Sequence, residues 1–394
     1  MRLADRMSQL GTESAFVVLA RAKALEAQGK DMVHLEIGEP DFPTPRHIIE
    51  AAYQALQAGY THYTASPGIP ELRRAIAEET SAVRGITVNP DNVVVMPGAK
   101  PVIFFGILAV ANPGDEVIYP NPGFPVYESM ITFVGAKPVP IPLREERQFS
   151  FDIDELKSKI TSKTKMIILN YPHNPTGGSL SKEDLQEVAA ICMERDILVM
   201  ADEVYRRIIY EGEFFSIASI PGMLKNTIIL DGFSKTYAMT GWRLGYGIFP
   251  DDLVEPITRL MTNSVSCTAQ YAQYACIAAL KGPQDEPMAM VQEFRRRRNF
   301  IVNGINQIPG MRCFLPPGAF YVFPNIGETG LTGEEFQDRM LEFGVAALSG
   351  AAFGEYGEGF VRFSYANSME NLGKALERIE YGLAKLKAAP RGRS

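Results

Sequence analysis

Four cysteines, four histidines and one tryptophan are all that 394 residues contain of these types. Cys192, Cys267, Cys276 and Cys313 are scattered and form no C-x-x-C pair, which argues against a disulfide framework. Two of them lie in apolar surroundings that read as core, and free thiols of that kind point to a reducing, cytoplasmic setting. His34, His47, His62 and His173 stand far apart, without the spacing of metal ligands, so no metal site is expected. Long apolar runs are missing too: no segment approaches the roughly eighteen residues of a membrane span. The opening residues MRLAD lack the apolar stretch and small-residue site of a signal peptide. Positive charge is in deficit, with a net charge of −7, which disfavours nucleic acid and anionic membranes as partners. The one dense basic cluster, residues 295–298, reads as a solvated helix face or a subunit contact. Internal repeats and low-complexity linkers are absent, and only the tail 388–394 reads as frayed.

What is present suits a large soluble core: 46% of residues are apolar and 22% charged. The length fits two domains sharing a cleft. Residues 93–96, 116–119, 166–169, 197–200 and 228–230 are nearly continuous β-branched or apolar runs, the pattern of strands buried on both faces. Between them lie amphipathic stretches such as 181–195, where Ser181 followed by Asp184 signals a helix start and Leu185, Val188, Ala189 and Cys192 form one stripe. This alternation predicts an α/β domain with a mainly parallel sheet. The last hundred residues read differently: helical over 293–308, extended over 319–324, helical over 333–343, extended over 360–364 and helical over 369–387. They predict a smaller α+β domain. The expected division is an N-terminal segment 1–46 contributing to the small domain, a large domain 47–283 and a small domain 284–394, with the boundary near Lys281-Gly282-Pro283.

Four segments at predicted strand ends carry chemistry. SKTYAMTGWRLGY (234–246) puts Lys235 just past an apolar strand, with Arg243 eight residues on. A lysine held there near cations and away from water has its charged form disfavoured, and so is suited to act as an amine nucleophile and then as a base. NYPHNPTGG (170–178) makes a sharp turn able to present Asn174 inward. ADEVY (201–205) sets Asp202 beside an apolar strand, an awkward place for a carboxylate without a cation; a protonated pyridine nitrogen would be such a partner. PGAKP (97–101) joins a strand to an apolar helix beginning near Val102, and its small residues let backbone N–H groups approach a phosphate. Taken singly, each has an ordinary alternative: a surface lysine, a plain turn, a common strand–glycine–helix junction.

In these four runs, their order and their spacing, the chain resembles the class I/II pyridoxal-phosphate aminotransferases of fold type I, nearest the bacterial aspartate aminotransferase subgroup. The likeness runs from LEIGEPDFPTP (35–45) to GFVRFSYAN (359–367). The resemblance implies a fold-type-I α/β architecture, pyridoxal 5′-phosphate as cofactor, amino-acid and 2-oxo-acid substrates, and a homodimer with active sites at the subunit interface. It implies that Lys235 binds the cofactor as a Schiff base and shuttles the proton at the substrate Cα. Asp202 pairs with the pyridine nitrogen, Tyr205 and Asn174 bond the phenolic oxygen, and Phe124 stacks on the ring. Ser234, Arg243 and the backbone of Gly98, Ala99 and Lys100 fall at the phosphate. Tyr63 reaches the neighbouring subunit's phosphate, and Arg362, helped by the Gly38 backbone, clamps the substrate α-carboxylate. Lys100 falls where the aspartate-type subgroup meets the distal carboxylate of dicarboxylic substrates.

Two positions depart from the family pattern. Gly232 stands where some relatives carry a phosphate-binding hydroxyl, and Val17 stands near a threonine that helps bind the distal carboxylate. Specificity for alanine or aromatic amino acids therefore stays open, as does a carbon–sulfur lyase, oxidase or decarboxylase on the same scaffold. Gly354, Gly357 and Gly359 do not have the spacing or β-α-β entry of a dinucleotide loop. Met288 and Met290 read as ordinary helix packing.

Overall fold

The computed structural model describes residues 3–388; residues 389–394 of the tail expected to fray lie outside the described residues, as do Met1 and Arg2. A seven-stranded sheet forms the centre, with strands in the spatial order Val93–Met96, Gly245–Ile248, Thr227–Gly232, Leu198–Asp202, Thr164–Asn170, Glu116–Asn121 and Lys137–Pro142. Gly245–Ile248 runs antiparallel to both of its neighbours, and every other pairing is parallel. Successive side chains of a strand point to opposite faces, so each strand feeds two cores. Met166 and Ile168 join one apolar cluster, and Ile167 and Leu169 join another. Both faces are therefore covered, which is why these strands read as unbroken apolar runs.

Helix Lys182–Arg195 begins with a capping box, in which Ser181 and Asp184 satisfy each other's backbone N–H groups. It delivers Leu185, Val188, Ala189 and Cys192 to the second cluster. Helix Lys100–Val110 follows the first strand of the sheet in sequence and buries Val102, Ile103, Phe105 and Ile107 in the other.

The N-terminal segment returns to the C-terminal elements through the parallel pairing of Val33–His34 with Val345–Ala346. Beside it, Val361–Ser364 pairs antiparallel with Leu348–Ser349 and with Tyr321–Val322. Helices Asp285–Ile305, Gly333–Glu342 and Met369–Ala388 complete this region. Among the described residues no helix is long and apolar enough to cross a membrane.

Several expectations need correction. The strands Lys137–Pro142 and Gly245–Ile248 escaped the sequence reading, one because it carries three prolines at the sheet edge and the other because two of its four residues are glycine. The helix expected from 293 begins at Asp285, since Pro287 sits in a first turn whose N–H groups need no intrahelical partner. The basic cluster is not simply a solvated face. Arg297 is buried and pairs with Asp41 and Glu293, and Arg298 is buried against Glu211 and the Pro316 carbonyl. Three cysteines rather than two are buried, namely Cys192, Cys276 and Cys313, and all four are free.

Candidate active site

The C-terminal ends of the parallel strands open into one cavity of about 550 Å³, at the edge where α/β sheets hold their ligands. Lys235 enters it three residues past strand Thr227–Gly232, and its Nζ donates to the Gly38 carbonyl at 2.6 Å. Burial is the main force that pulls its pKa down to about 8; Glu39 opposes the shift, while Arg362 and Arg243 reinforce it. Gly38 has to be glycine: a Cβ there would stand 2.0 Å from the Tyr321 hydroxyl.

Asp202 ends the neighbouring strand and is buried. It accepts hydrogen bonds from the Tyr127 hydroxyl at 2.6 Å and, more weakly, from the Val204 N–H at 3.3 Å. Burial raises its pKa to about 6 against these two donors. No cation pairs with it among the described residues.

Asn170 fixes the next strand end by donating to the Asp202 carbonyl and accepting the Asn174 N–H at 2.9 Å. The Asn174 side-chain oxygen then accepts from Arg362 Nη1 at 2.9 Å. Arg362 comes from strand Val361–Ser364, donates Nη2 to the Glu36 carbonyl, and lies between the rings of Tyr321 and Phe353, 4.6 and 4.9 Å from their centroids. Its Nε is buried without a partner among the described residues. Tyr205 shares a hydroxyl–hydroxyl bond of 2.8 Å with Tyr321.

Next to the lining residue Ala99, Gly98 adopts φ +89°, which favours glycine, and a Cβ there would meet Arg243 Nη2 at 2.4 Å. Ala99 and Lys100 open helix Lys100–Val110, whose first N–H groups have no intrahelical acceptor. Ser234, Arg243 and Phe124 line the same cavity. Lys100 lies over the Phe124 ring, 5.4 Å from its centroid, and forms an ion pair with Glu13.

Tyr63, expected at the neighbouring subunit's phosphate, and Val17, a departure from the family pattern, both lie outside the cavity lining. Tyr63 is 87% exposed and Val17 is 54% exposed. Glu13, Tyr127 and Tyr321 are among the lining residues that the sequence did not single out. Tyr127 lies three residues past Phe124, close to one helical turn, which is signal enough to find it. Glu13 and Tyr321 carried no local signal.

A family model for aminotransferase class I and II matches residues 30–379. The chain belongs to that family. It is 43% identical to an aspartate aminotransferase of Pyrococcus abyssi over 91% of this chain and 93% of the relative. It is 39% identical to aromatic-amino-acid aminotransferase 2 of Thermococcus litoralis over 98% of this chain and all of that one. The solved structure of aspartate aminotransferase from Thermus thermophilus with maleate superposes with a TM-score of 0.93 at 37% identity, covering 97% of this chain and 100% of that chain. The protein is thus an aminotransferase that uses pyridoxal 5′-phosphate.

The cavity of this aminotransferase fits that cofactor. Asp202 is a buried carboxylate lacking a cation, which a protonated ring nitrogen would supply. Arg243 and the helix start at Gly98 and Ala99 form a cradle, suited to a phosphate, that a Cβ at Gly98 would block. Lys235 offers an amine whose proton is already loosened.

Proposed function

We propose that the protein transfers the amino group between an L-amino acid of the aspartate/glutamate type and a 2-oxo acid such as 2-oxoglutarate. When bound, the cofactor supplies a sink for the electron pair left on the substrate Cα. Lys235 Nζ holds the cofactor and then moves the proton on and off that carbon. Asp202 keeps the ring nitrogen protonated, Tyr205 and Asn174 hold the phenolic oxygen, and Phe124 packs against the ring. Ser234, Arg243 and the 98–100 backbone bind the phosphate. Arg362 and the Gly38 backbone hold the substrate α-carboxylate, and the unpartnered Nε of Arg362 supports this role. The exposure of Tyr63 supports a homodimer in which this ring reaches the partner's phosphate. Three buried free cysteines support a cytoplasmic setting. The start of helix Asp285–Ile305 supports a division between a large domain to 283 and a small domain from 284, completed by residues 1–46.

The observation that carries the dicarboxylate reading is Lys100, a cation on the cavity wall beside Phe124. The testing experiment mixes the cofactor-loaded protein with single amino acids and follows conversion to the pyridoxamine form by absorbance. Glutamate or aspartate should react best; a faster reaction with alanine or phenylalanine than with either acid would reject the dicarboxylate assignment.

A further inference from the structure

Glu13 brings a carboxylate to the cavity wall and places it on Lys100. It precedes helix Ser14–Glu26, yet its side chain caps no backbone N–H of that helix. The segment carrying it is anchored, because the Gly11 N–H donates to Ser129 Oγ at 2.8 Å, on the helix that follows Phe124. Phe16, one turn on, lines the same cavity although 61% exposed. The charge of Glu13 also reaches inward, raising the pKa of both Lys235 and Arg362 against the lowering that burial imposes.

We propose that Glu13 is a specificity-determining residue, an internal stand-in for the distal carboxylate of a dicarboxylic substrate. The inference rests on Lys100 as the distal-carboxylate cation. With a neutral amino acid in the cavity, Glu13 keeps Lys100 paired and the wall electrically neutral. A dicarboxylic substrate has to displace Glu13 to reach Lys100, and meets like-charge repulsion until it does. Glu13 therefore weakens selection for dicarboxylates and lets one cavity take both substrate classes. A partner exchange of this kind costs little, because Lys100 keeps one carboxylate in either state.

The test is a double-mutant cycle on Glu13→Gln and Lys100→Ala, read as the ratio of kcat/KM for glutamate to that for alanine. Glutamine keeps the size of the side chain and removes its charge. Glu13→Gln should raise the ratio at least about fivefold, the size of a coupling near 1 kcal/mol. Lys100→Ala should lower it, and Glu13→Gln added to Lys100→Ala should leave it where Lys100→Ala put it. A ratio that moves with Lys100→Ala and not with Glu13→Gln overturns the inference alone. An equal rise in both backgrounds also overturns it, since Glu13 would then act without Lys100. A ratio unmoved by Lys100→Ala overturns the distal-carboxylate reading together with the inference.

Discussion

Asp202 and Glu203 are neighbours in the chain, both buried, and their surroundings could hardly differ more. Glu203 sits in a mesh of ions on the far side of the sheet. Arg84 gives it two N–H groups at 2.8 and 2.5 Å, Ser216 donates to its other oxygen, and Asp231 continues the mesh to Arg206 and Glu79. Arg84 Nη1 is left without a partner among the described residues. Burial works against the Glu79 carboxylate, yet Arg206 and Arg207 hold its pKa below the ordinary value. Asp202 has a hydroxyl, an N–H and no cation, and burial wins: its pKa rises to about 6. Leu230 and Asp231, on the adjacent strand, divide in the same way, Leu230 lining the cavity and Asp231 joining the mesh. A buried charge whose valences are filled belongs to the structure. One left without its counter-ion beside a cavity is prepared for a ligand.

That comparison can be broken from either side. The largest effect on stability is expected in the mesh. Glu203→Gln leaves Arg84 buried with only Asp231 at 3.5 Å, and should destabilise the protein by about 3–5 kcal/mol in urea unfolding. A loss of about 1 kcal/mol or less, as for an exposed pair, would mean that the mesh is not structural. On the cavity side, Arg362→Lys should cost less stability than Glu203→Gln, because the charge is kept, and should lower kcat/KM for every amino acid. An ammonium cannot reproduce the paired N–H groups a guanidinium gives a carboxylate, a loss of roughly 2–3 kcal/mol. Steady-state kinetics on several amino acids check this, and an unaltered kcat/KM would require another cation at the α-carboxylate.

The smallest effect runs opposite to the first. In the cofactor-free protein, Asp202→Asn should raise stability near neutral pH by at most about 3 kcal/mol, while turnover of the cofactor-loaded protein falls. The folded pKa of Asp202, about 6, lies above the ordinary 3.8, so the folded state keeps its proton longer than the unfolded chain. Its stability then falls as pH rises between those values and stays low above them. The advantage of the asparagine variant should therefore shrink as pH drops towards about 4. Urea midpoints for the two proteins across that range decide it; a variant less stable than wild type at neutral pH would show that Asp202 is held by its own neighbours.

Much of this was legible before any coordinates. Unbroken apolar runs marked the strands buried on both faces, and the segments at their ends marked Lys235, Asp202, Asn174 and the turn at residues 98–100, although the helix after that turn begins at Lys100 and not near Val102. What stayed hidden depended on distance in sequence. Tyr321 lies more than a hundred residues from Tyr205, its hydrogen-bond partner, and Glu13 lies 87 residues from Lys100. Nothing local to either residue announces such a meeting. Tyr63, in turn, was assigned to a contact that a single chain does not contain.

Lys235, proposed as the amine that holds the cofactor, carries the most direct test. Borohydride reduction of the cofactor-loaded protein, followed by peptide mapping, should leave a covalent label on Lys235. A label on Lys100, or on any other lysine, would contradict it.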